Sequence, residues 1–243
     1  MNPENKKSRL FSFKAFSLSD SNCGMKIGTD GVLLGSFAST YSAKKALDIG
    51  TGCGLIALMV AQKTGAQVHA IDIDKASLEQ AAENFRKSPW PGQFKVFYSS
   101  LQEFSPPDET LYDLIVCNPP FFGNSIRSKN NSRSLARQNE NLKPEELFHF
   151  SRNLLSETGV LITIFPFSAK EQNDYFAQSV KLYPIRYLII KPTPDHNPVR
   201  LISVYSQKPV SEVNSEVLSI ENKKRHEFSS EYKELTRDFH PFL

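Results

Sequence analysis

Short apolar runs and segments of helical periodicity alternate along the chain from residue 46 to residue 205. Strand-like runs occupy residues 46–49, 67–71, 94–98, 112–117, 159–165, 185–190 and 200–205. Helical spacing of apolar residues occupies residues 31–39, 55–62, 75–87, 142–155 and 170–180. Such alternation is typical of helices that cover both faces of a parallel sheet, and the proline-rich loop between the last two strands favours a hairpin. The pattern therefore predicts an α/β, Rossmann-like fold, with a doubly wound, mostly parallel seven-stranded sheet and a C-terminal antiparallel hairpin.

Length and composition indicate a single domain that spans residues 1–243. The chain has 243 residues, of which 40% are hydrophobic and 23% charged. At this size folding buries about 70% of the surface of the unfolded chain, so a stable core needs no disulfide or metal. We divide the domain into an N-terminal extension with a helix (1–40), a core (41–209) and a polar tail (210–243).

Several classes of protein are disfavoured by what the sequence lacks. The apolar stretch at residues 160–167 is far shorter than the ~20 residues of a membrane span, and the charged first residues do not resemble a signal peptide. Three widely separated cysteines, at positions 23, 53 and 117, fit reduced thiols better than a disulfide framework. The histidines are scattered singly and suggest no metal site. We expect a cytoplasmic protein without a membrane or metal partner, and a monomer is compatible with the sequence.

A glycine-rich turn follows the first strand of the core. Residues 48–54 read DIGTGCG, and glycines at such a place allow a ligand to approach the backbone, although a tight structural turn is the simpler reading. A dinucleotide fingerprint would need a small residue where Leu55 stands. The spacing instead resembles the S-adenosylmethionine pocket of class I methyltransferases. The resemblance implies a class I methyltransferase fold with this cofactor, held in part by Asp48, Gly50, Thr51, Gly52 and Gly54.

A second acid, Asp72, ends the next strand of the core. A carboxylate there can accept hydrogen bonds from both ribose hydroxyls of an adenosine-containing cofactor. The competing interpretation is a helix cap, a role that Asp74 could fill instead. We also assign Ile73, Ser100 and Leu101 to the cofactor pocket, although this chain has Ser99 and Ser100 where the methyltransferase class often has an acid that faces adenine.

The fourth strand of the core ends in the tetrapeptide Asn118, Pro119, Pro120, Phe121. Two prolines could simply end a strand, but Asn-Pro-Pro-aromatic resembles the active-site motif of methyltransferases that act on planar amino groups. We expect the Asn118 side-chain oxygen and the Pro119 carbonyl to accept the two amino hydrogens and so polarise the nitrogen. Pro120 would stiffen the turn and Phe121 would stack on the target base. Asn118 is counted among the cofactor-binding residues as well.

Further segments make the resemblance more specific. They are residues 25–35 (MKIGTDGVLLG), 47–52 (LDIGTG), 88–90 (SPW), 118–122 (NPPFF), 133–137 (RSLAR) and 232–239 (YKELTRDF). Together they are similar to the bacterial tRNA adenosine methyltransferases that modify valine tRNA beside the anticodon, at the N6 amino group of adenosine 37. This resemblance implies that Lys26, Thr29 and Asp30 line the cofactor pocket and that the helix of the extension covers the cofactor. An ordinary helix cap is the alternative reading of these three residues.

The placement of charge agrees with an RNA substrate, although the net charge of +3 is too small to establish one. Between residues 125 and 139 the chain carries four basic residues and no acid: Arg127, Lys129, Arg133 and Arg137. Because this run follows the tetrapeptide directly, its side chains could contact phosphates of a bound tRNA, which we take to be the anticodon loop of valine tRNA. The alternative is an ordinary solvated surface.

Three other functions remain open at this level. A glutamine side-chain amide in a protein, or a guanine in ribosomal RNA, also presents a planar amino group to an Asn-Pro-Pro-aromatic motif. A different class would be an RNA-binding protein that has lost activity and kept the fold. Intact Asp48, Gly50, Gly52, Asp72 and Asn118 argue against that last possibility.

Overall fold

The computed structural model describes residues 10–119, 142–224 and 227–240. The strands are β1 (Leu10–Ser12), β2 (Ser17–Ser19), β3 (Lys45–Ile49), β4 (Gln67–Asp72), β5 (Phe94–Tyr98), β6 (Tyr112–Cys117), β7 (Leu155–Pro166), β8 (Tyr183–Lys191), β9 (Arg200–Ser206) and β10 (Asn214–Ser219). The helices are α1 (Thr29–Ala38), α2 (Leu55–Thr64), α3 (Lys75–Lys87), α4 (Pro144–Leu154), α5 (Lys170–Ser179) and α6 (Ser230–Thr236). Short 3-10 turns lie at Pro91–Gln93, Pro107–Glu109 and Phe167–Ala169.

Eight strands form one large sheet in the order β10-β8-β9-β7-β6-β3-β4-β5. Every neighbouring pair is parallel except the two that involve β9, which runs antiparallel to β7 and to β8. The predicted fold class is therefore confirmed, including the hairpin of β8 and β9. The strand count is eight rather than seven because β10, from the polar tail, pairs with β8 and forms an edge of the sheet.

The core lies on both faces of the sheet. On β6, Leu114 and Val116 pack into one apolar cluster, which also receives helices α1 and α2. Their neighbours Ile115 and Cys117 pack into a second cluster on the opposite face, with residues of α4 and α5. An almost wholly apolar strand such as β6 is what a parallel strand covered on both faces requires.

The N-terminal extension and the tail both pack against the core. Asn84 of α3 donates from Nδ2 to the carbonyls of Ser19 and Cys53, both at 2.8 Å, and thereby ties β2 to the glycine turn. The backbone N–H of Lys14 donates to the carbonyl of Phe239 at 2.9 Å, so the extension also meets the end of the tail. These contacts bring the segment before α1 next to the turn that follows β3.

Strands β3, β4, β5, β6 and β7 all end at the same edge of the sheet, which we call the carboxyl edge. Ligands of doubly wound sheets bind outside this edge, where the connections leave the strands. No helix in the described part of the chain has the length and apolar character of a membrane span.

Candidate active site

The glycine turn between β3 and α2 lies against the end of β4. The backbone N–H groups of Gly50 and Thr51 both donate to the carbonyl of Ile71, at 2.9 and 3.0 Å. Gly50 and Gly52 have φ angles of +69° and +55°, in the left-handed region that favours glycine. A β carbon placed on either of them would meet no atom within 4 Å, so this part of the backbone is open to a ligand.

Gly54, at the end of the same turn, must be a glycine because of how tightly α3 packs against it. Its φ angle is +86°, and a β carbon there would lie 2.4 Å from Cε1 of Phe85 on α3. A side chain at this position would collide with an aromatic ring whose exposed fraction is only 3%. Gly54 therefore allows α2 to start close to α3, and its predicted contact with the cofactor stays a prediction.

Asp48 is the buried acid of the site, with 2% of its surface exposed. Its Oδ2 accepts hydrogen bonds from the hydroxyl of Thr51 at 2.7 Å and from the backbone N–H of Ala57 at 3.2 Å. Its Oδ1 is buried and has no hydrogen-bond partner among the described residues. Burial raises the pKa of this carboxyl to about 7, and the charge of Asp72 acts in the same direction. The side chain thus shapes the glycine turn with one oxygen, and its predicted contact with the cofactor through the other stays a prediction.

Asp72 holds the glycine turn from the end of β4. Its Oδ2 accepts the backbone N–H of Gly52 and its Oδ1 accepts that of Asp74, both at 2.8 Å. The helix cap belongs to Asp74, whose carboxylate accepts from the backbone N–H of Ala76 and from the hydroxyl of Ser77. Burial raises the pKa of the Asp72 carboxyl. Because each carboxylate oxygen can accept a second hydrogen bond, Asp72 keeps the capacity to bind ribose hydroxyls.

Asn118 leaves the sheet beside the glycine turn. The preceding residue, Cys117, is paired with Ile49 of β3, so Asn118 and Gly50 both follow the last paired positions of neighbouring strands. The first turn of α1 lies next to them, since a β carbon on Gly31 would be 4.0 Å from Asn118 Nδ2 and 3.3 Å from Leu55. The structure therefore brings the acidic turn, Asn118 and α1 together. The importance of Gly31 comes from a contact between distant segments, which no local sequence pattern reveals.

The charged residues assigned to the cofactor from residues 26–30 have partners within the protein. The ammonium group of Lys26 donates to the carbonyls of Asp20 and Ser21, at 2.6 and 3.2 Å. Asp30 accepts from Nε of Arg200 at 2.8 Å. Thr29 is the first residue of α1. Thr29 and Asp30 lie in the first turn of α1 and Lys26 lies in the loop before it, while the cofactor contacts of all three stay predictions.

Asp20 is a further polar residue that the sequence did not reveal. It is buried, with 1% of its surface exposed, and its Oδ2 accepts the backbone N–H of Ile27 at 3.0 Å. The side chain thus fixes the loop that leads into α1. A lone aspartate in a serine-rich segment carries no recognisable signal of this role.

The remaining predicted contacts lie beyond β4 and β5. Ile73 is 46% exposed directly after Asp72 and offers an apolar surface beside the proposed ribose site. The backbone N–H of Ser99 donates to the carbonyl of Asp72, which brings Ser100 into the same region. Leu101 is buried in the core, and its predicted contact with the cofactor stays a prediction.

Part of the predicted site lies outside the described residues. It comprises Pro120 and Phe121 of the tetrapeptide and the basic residues Arg127, Lys129, Arg133 and Arg137. Their assignments stay predictions from the sequence.

Comparisons with known proteins agree with this geometry. The family model described as "Methyltransferase small domain" matches residues 21–166. Among solved structures, a predicted O-methyltransferase from Agrobacterium tumefaciens superposes with a TM-score of 0.65 at 15% identity, covering 86% of this chain and 96% of that one. M. jannaschii TYW2, solved in complex with AdoMet, gives a TM-score of 0.56 at 10% identity, covering 84% and 88%. These likenesses show the fold.

Proteins with similar sequences identify the family, which the structural likenesses alone do not. A protein of Parabacteroides distasonis is 41% identical over 230 residues, which is 95% of this chain and 97% of the relative. A protein of Flavobacterium johnsoniae is also 41% identical, over 95% of this chain and 99% of the relative. Both carry the name tRNA1(Val) (adenine(37)-N6)-methyltransferase. The family resemblance stated from the sequence is thereby confirmed, and the chain belongs to the family of tRNA1(Val) (adenine(37)-N6)-methyltransferases.

Proposed function

We propose that this protein transfers a methyl group from S-adenosylmethionine to the N6 amino group of adenosine 37 in valine tRNA, in the cytoplasm. The observation that carries the proposal is the convergence of Asp48, the glycine turn and Asn118 at the carboxyl edge, in a chain that belongs to this methyltransferase family.

The residues of the pocket fit S-adenosylmethionine. The cofactor carries ammonium and hydroxyl donors, and the pocket offers the unpartnered Oδ1 of Asp48 and the carboxylate of Asp72. The open backbone at Gly50 and Gly52 allows close approach. Asp48 and the glycine turn would hold the methionine portion, Asp72 the ribose, and Ile73 one side of the adenine. When bound, S-adenosylmethionine supplies an electrophilic methyl group.

Asn118 and Pro119 would prepare the nucleophile. The exocyclic nitrogen of adenine is weakly nucleophilic because its lone pair is delocalised into the ring. The Asn118 side-chain oxygen and the Pro119 carbonyl accept the two amino hydrogens, which turns the lone pair toward the methyl group and stabilises the positive charge that develops on nitrogen. The nitrogen becomes acidic only after transfer, so the reaction requires no strong base. Asn118 is half-buried and Pro119 buried, which limits competition from water for these acceptors.

Substrate capture is assigned to the segment after the tetrapeptide. We propose that Phe121 stacks on the extruded adenine and that Arg127, Lys129, Arg133 and Arg137 contact phosphates of the anticodon loop. The support for this assignment is the acid-free basic run directly after Asn118 in the sequence.

A single methylation assay tests the proposal. The protein is incubated with labelled cofactor and bulk tRNA from a strain that lacks the modification, and the labelled nucleoside is then mapped. We expect N6-methyladenosine at position 37 of valine tRNA. A transcript with guanosine at position 37 is the matched control and should remain unlabelled. Parallel reactions with release factor and with ribosomal RNA address the alternative substrates, and label in either of them but not in tRNA would contradict the proposal.

A further inference from the structure

An ion pair joins two distant parts of the chain at the carboxyl edge. Nε of Arg200 donates to Oδ2 of Asp30 at 2.8 Å, across 170 positions of sequence. Asp30 lies in the first turn of α1, and Arg200 is the first residue of β9. The side chains are 28% and 33% exposed, so the pair is partly shielded from water. The family resemblance implied that Asp30 lines the cofactor pocket, whereas in the structure its carboxylate forms an ion pair with Arg200.

The surroundings of the pair connect it to the proposed catalytic residue. Arg200 is paired with Pro166, the last residue of β7, and β7 is the neighbour of β6 in the sheet. At the other end of the pair, Asp30 precedes Gly31, whose β-carbon position is 4.0 Å from Asn118 Nδ2. The pair therefore bridges from the end of β7 and the start of β9 to the helical turn that lies next to Asn118.

The first turn of α1 lacks a side-chain cap, although the buried residues that follow it, such as Leu33 and Leu34, pack into the core. Its N-cap residue is Gly28, which has no side chain with which to cap the helix. The loop before it is fixed by Asp20, through the backbone N–H of Ile27. Asp30 is the charged residue of the first helical turn, and Arg200 anchors it to the sheet.

We propose that Asp30 and Arg200 are a positioning pair, which holds the first turn of α1 against Asn118 and thereby sets the rate of methyl transfer without binding the cofactor. The inference rests on the proposed function, because it takes Asn118 as the residue that orients the target amino group. The alternative role of Asp30 as a favourable charge at a helix N-terminus needs no particular partner. The two roles differ in whether Arg200 matters.

The test compares Asp30→Asn, Arg200→Gln and the double variant. We expect each single variant to lower kcat for tRNA methylation at least tenfold while the cofactor Kd, measured by calorimetry, stays within twofold of the wild type. The double variant should be no slower than the slower single variant, because both substitutions remove the same interaction. Surface ion pairs change stability little, so the variants should remain folded in a thermal unfolding control.

Glu157→Gln is the matched control. It breaks the 2.8 Å ion pair between Glu157 and Lys208. Glu157 lies near the start of β7, at the end of the parallel strands opposite to the carboxyl edge and to Asn118. We expect no change in kcat or in cofactor affinity. The charge-swapped variant Asp30→Arg/Arg200→Asp should recover part of the lost rate, which a purely local role of Asp30 does not predict.

Two results would overturn the inference. One is a cofactor Kd weakened more than fivefold by Asp30→Asn and unchanged by Arg200→Gln, which would make Asp30 a cofactor ligand. The other is an additive loss of rate in the double variant.

Amide hydrogen exchange at residues 31–34 gives a readout that does not depend on activity: exchange should accelerate in both single variants and not in Glu157→Gln. If the wild-type protein does not methylate tRNA, the proposed function fails, and the exchange data still decide whether the pair fixes α1.

Discussion

Asp72 accepts a hydrogen bond from the backbone N–H of Gly52 at 2.8 Å. The end of β4 and the glycine turn after β3 are thereby joined through one carboxylate. The other oxygen of Asp72 accepts the backbone N–H of Asp74, the N-cap residue of α3. This second hydrogen bond fixes the orientation of the Asp72 side chain. The same acid thus shapes the turn and, since each carboxylate oxygen can accept a second hydrogen bond, retains acceptor capacity.

Replacing Asp72 by Ala should weaken cofactor binding by about 1.5–3 kcal/mol, because the variant loses a charged acceptor and the support of the turn. Calorimetric titration with S-adenosylmethionine measures the effect, which corresponds to roughly a 10- to 150-fold change in Kd. Asp113→Ala is the matched control, since Asp113 also accepts two backbone N–H groups, those of Lys44 and Lys45, away from the carboxyl edge. Equal affinities of the Asp72 variant and the wild type would contradict the ribose assignment.

Asn118→Ala should abolish most methyl transfer and leave cofactor affinity nearly unchanged, because in the proposed mechanism the amide acts chiefly on the target nitrogen. Loss of one preorganised polar group of this kind costs on the order of a hundredfold or more in rate. Single-turnover methylation of tRNA at saturating protein measures the chemical step. Asn214→Ala, which changes an exposed asparagine of β10, should react at the wild-type rate. Near-normal turnover by the Asn118 variant would refute the mechanism.

The raised pKa of Asp48 predicts how stability depends on pH. Because burial raises this pKa from 3.8 to about 7, the folded protein keeps a proton that the unfolded chain releases at a lower pH. Its contribution to the free energy of unfolding should therefore fall as pH rises from about 4 to about 7, by up to ~1.4 kcal/mol per pH unit.

Urea unfolding of the wild type and of Asp48→Asn across this pH range isolates that contribution. The asparagine is similar in shape and cannot ionise. The free energy of unfolding of the wild type minus that of the variant should therefore decline with rising pH and level off above about 7. A difference that does not vary with pH would show that Asp48 has an ordinary pKa in the folded protein.

Gly54→Ala should destabilise the protein more than Gly52→Ala. Both glycines have positive φ angles, so both variants incur about 1–2 kcal/mol of backbone strain. Only at Gly54 would the new β carbon collide with Phe85, which adds about 1–3 kcal/mol of overpacking. Urea unfolding of the two variants without ligand measures the difference. Equal losses of stability would mean that α3 moves aside without cost.

The sequence by itself determined most elements of the core, although β7 begins at Leu155, inside the predicted helix at residues 142–155. Residues 75–87, 94–98 and 112–117 were predicted with the bounds that the structure shows, because a helical or strand period is set by the backbone and repeats within each segment. Strand β10 was missed. Its sequence is largely polar and its burial does not alternate, since it lies at an edge of the sheet.

The local chemistry of the site was also visible in the sequence. Asp48, the glycines and Asn118 stand at the ends of strands, and parallel strands bring such ends to one edge. The order of the motifs along the chain therefore predicted that they meet. This inference needed no knowledge of contacts between distant segments.

Only the tertiary structure decided which partners the charged groups have. Asp30 meets Arg200 because the first turn of α1 lies next to the start of β9, which runs antiparallel beside β7. Asn84 joins β2 to the glycine turn in the same manner. A single sequence does not encode such a pairing as a local pattern, because any of several acids and bases could meet. The path of the folded chain selects one of them.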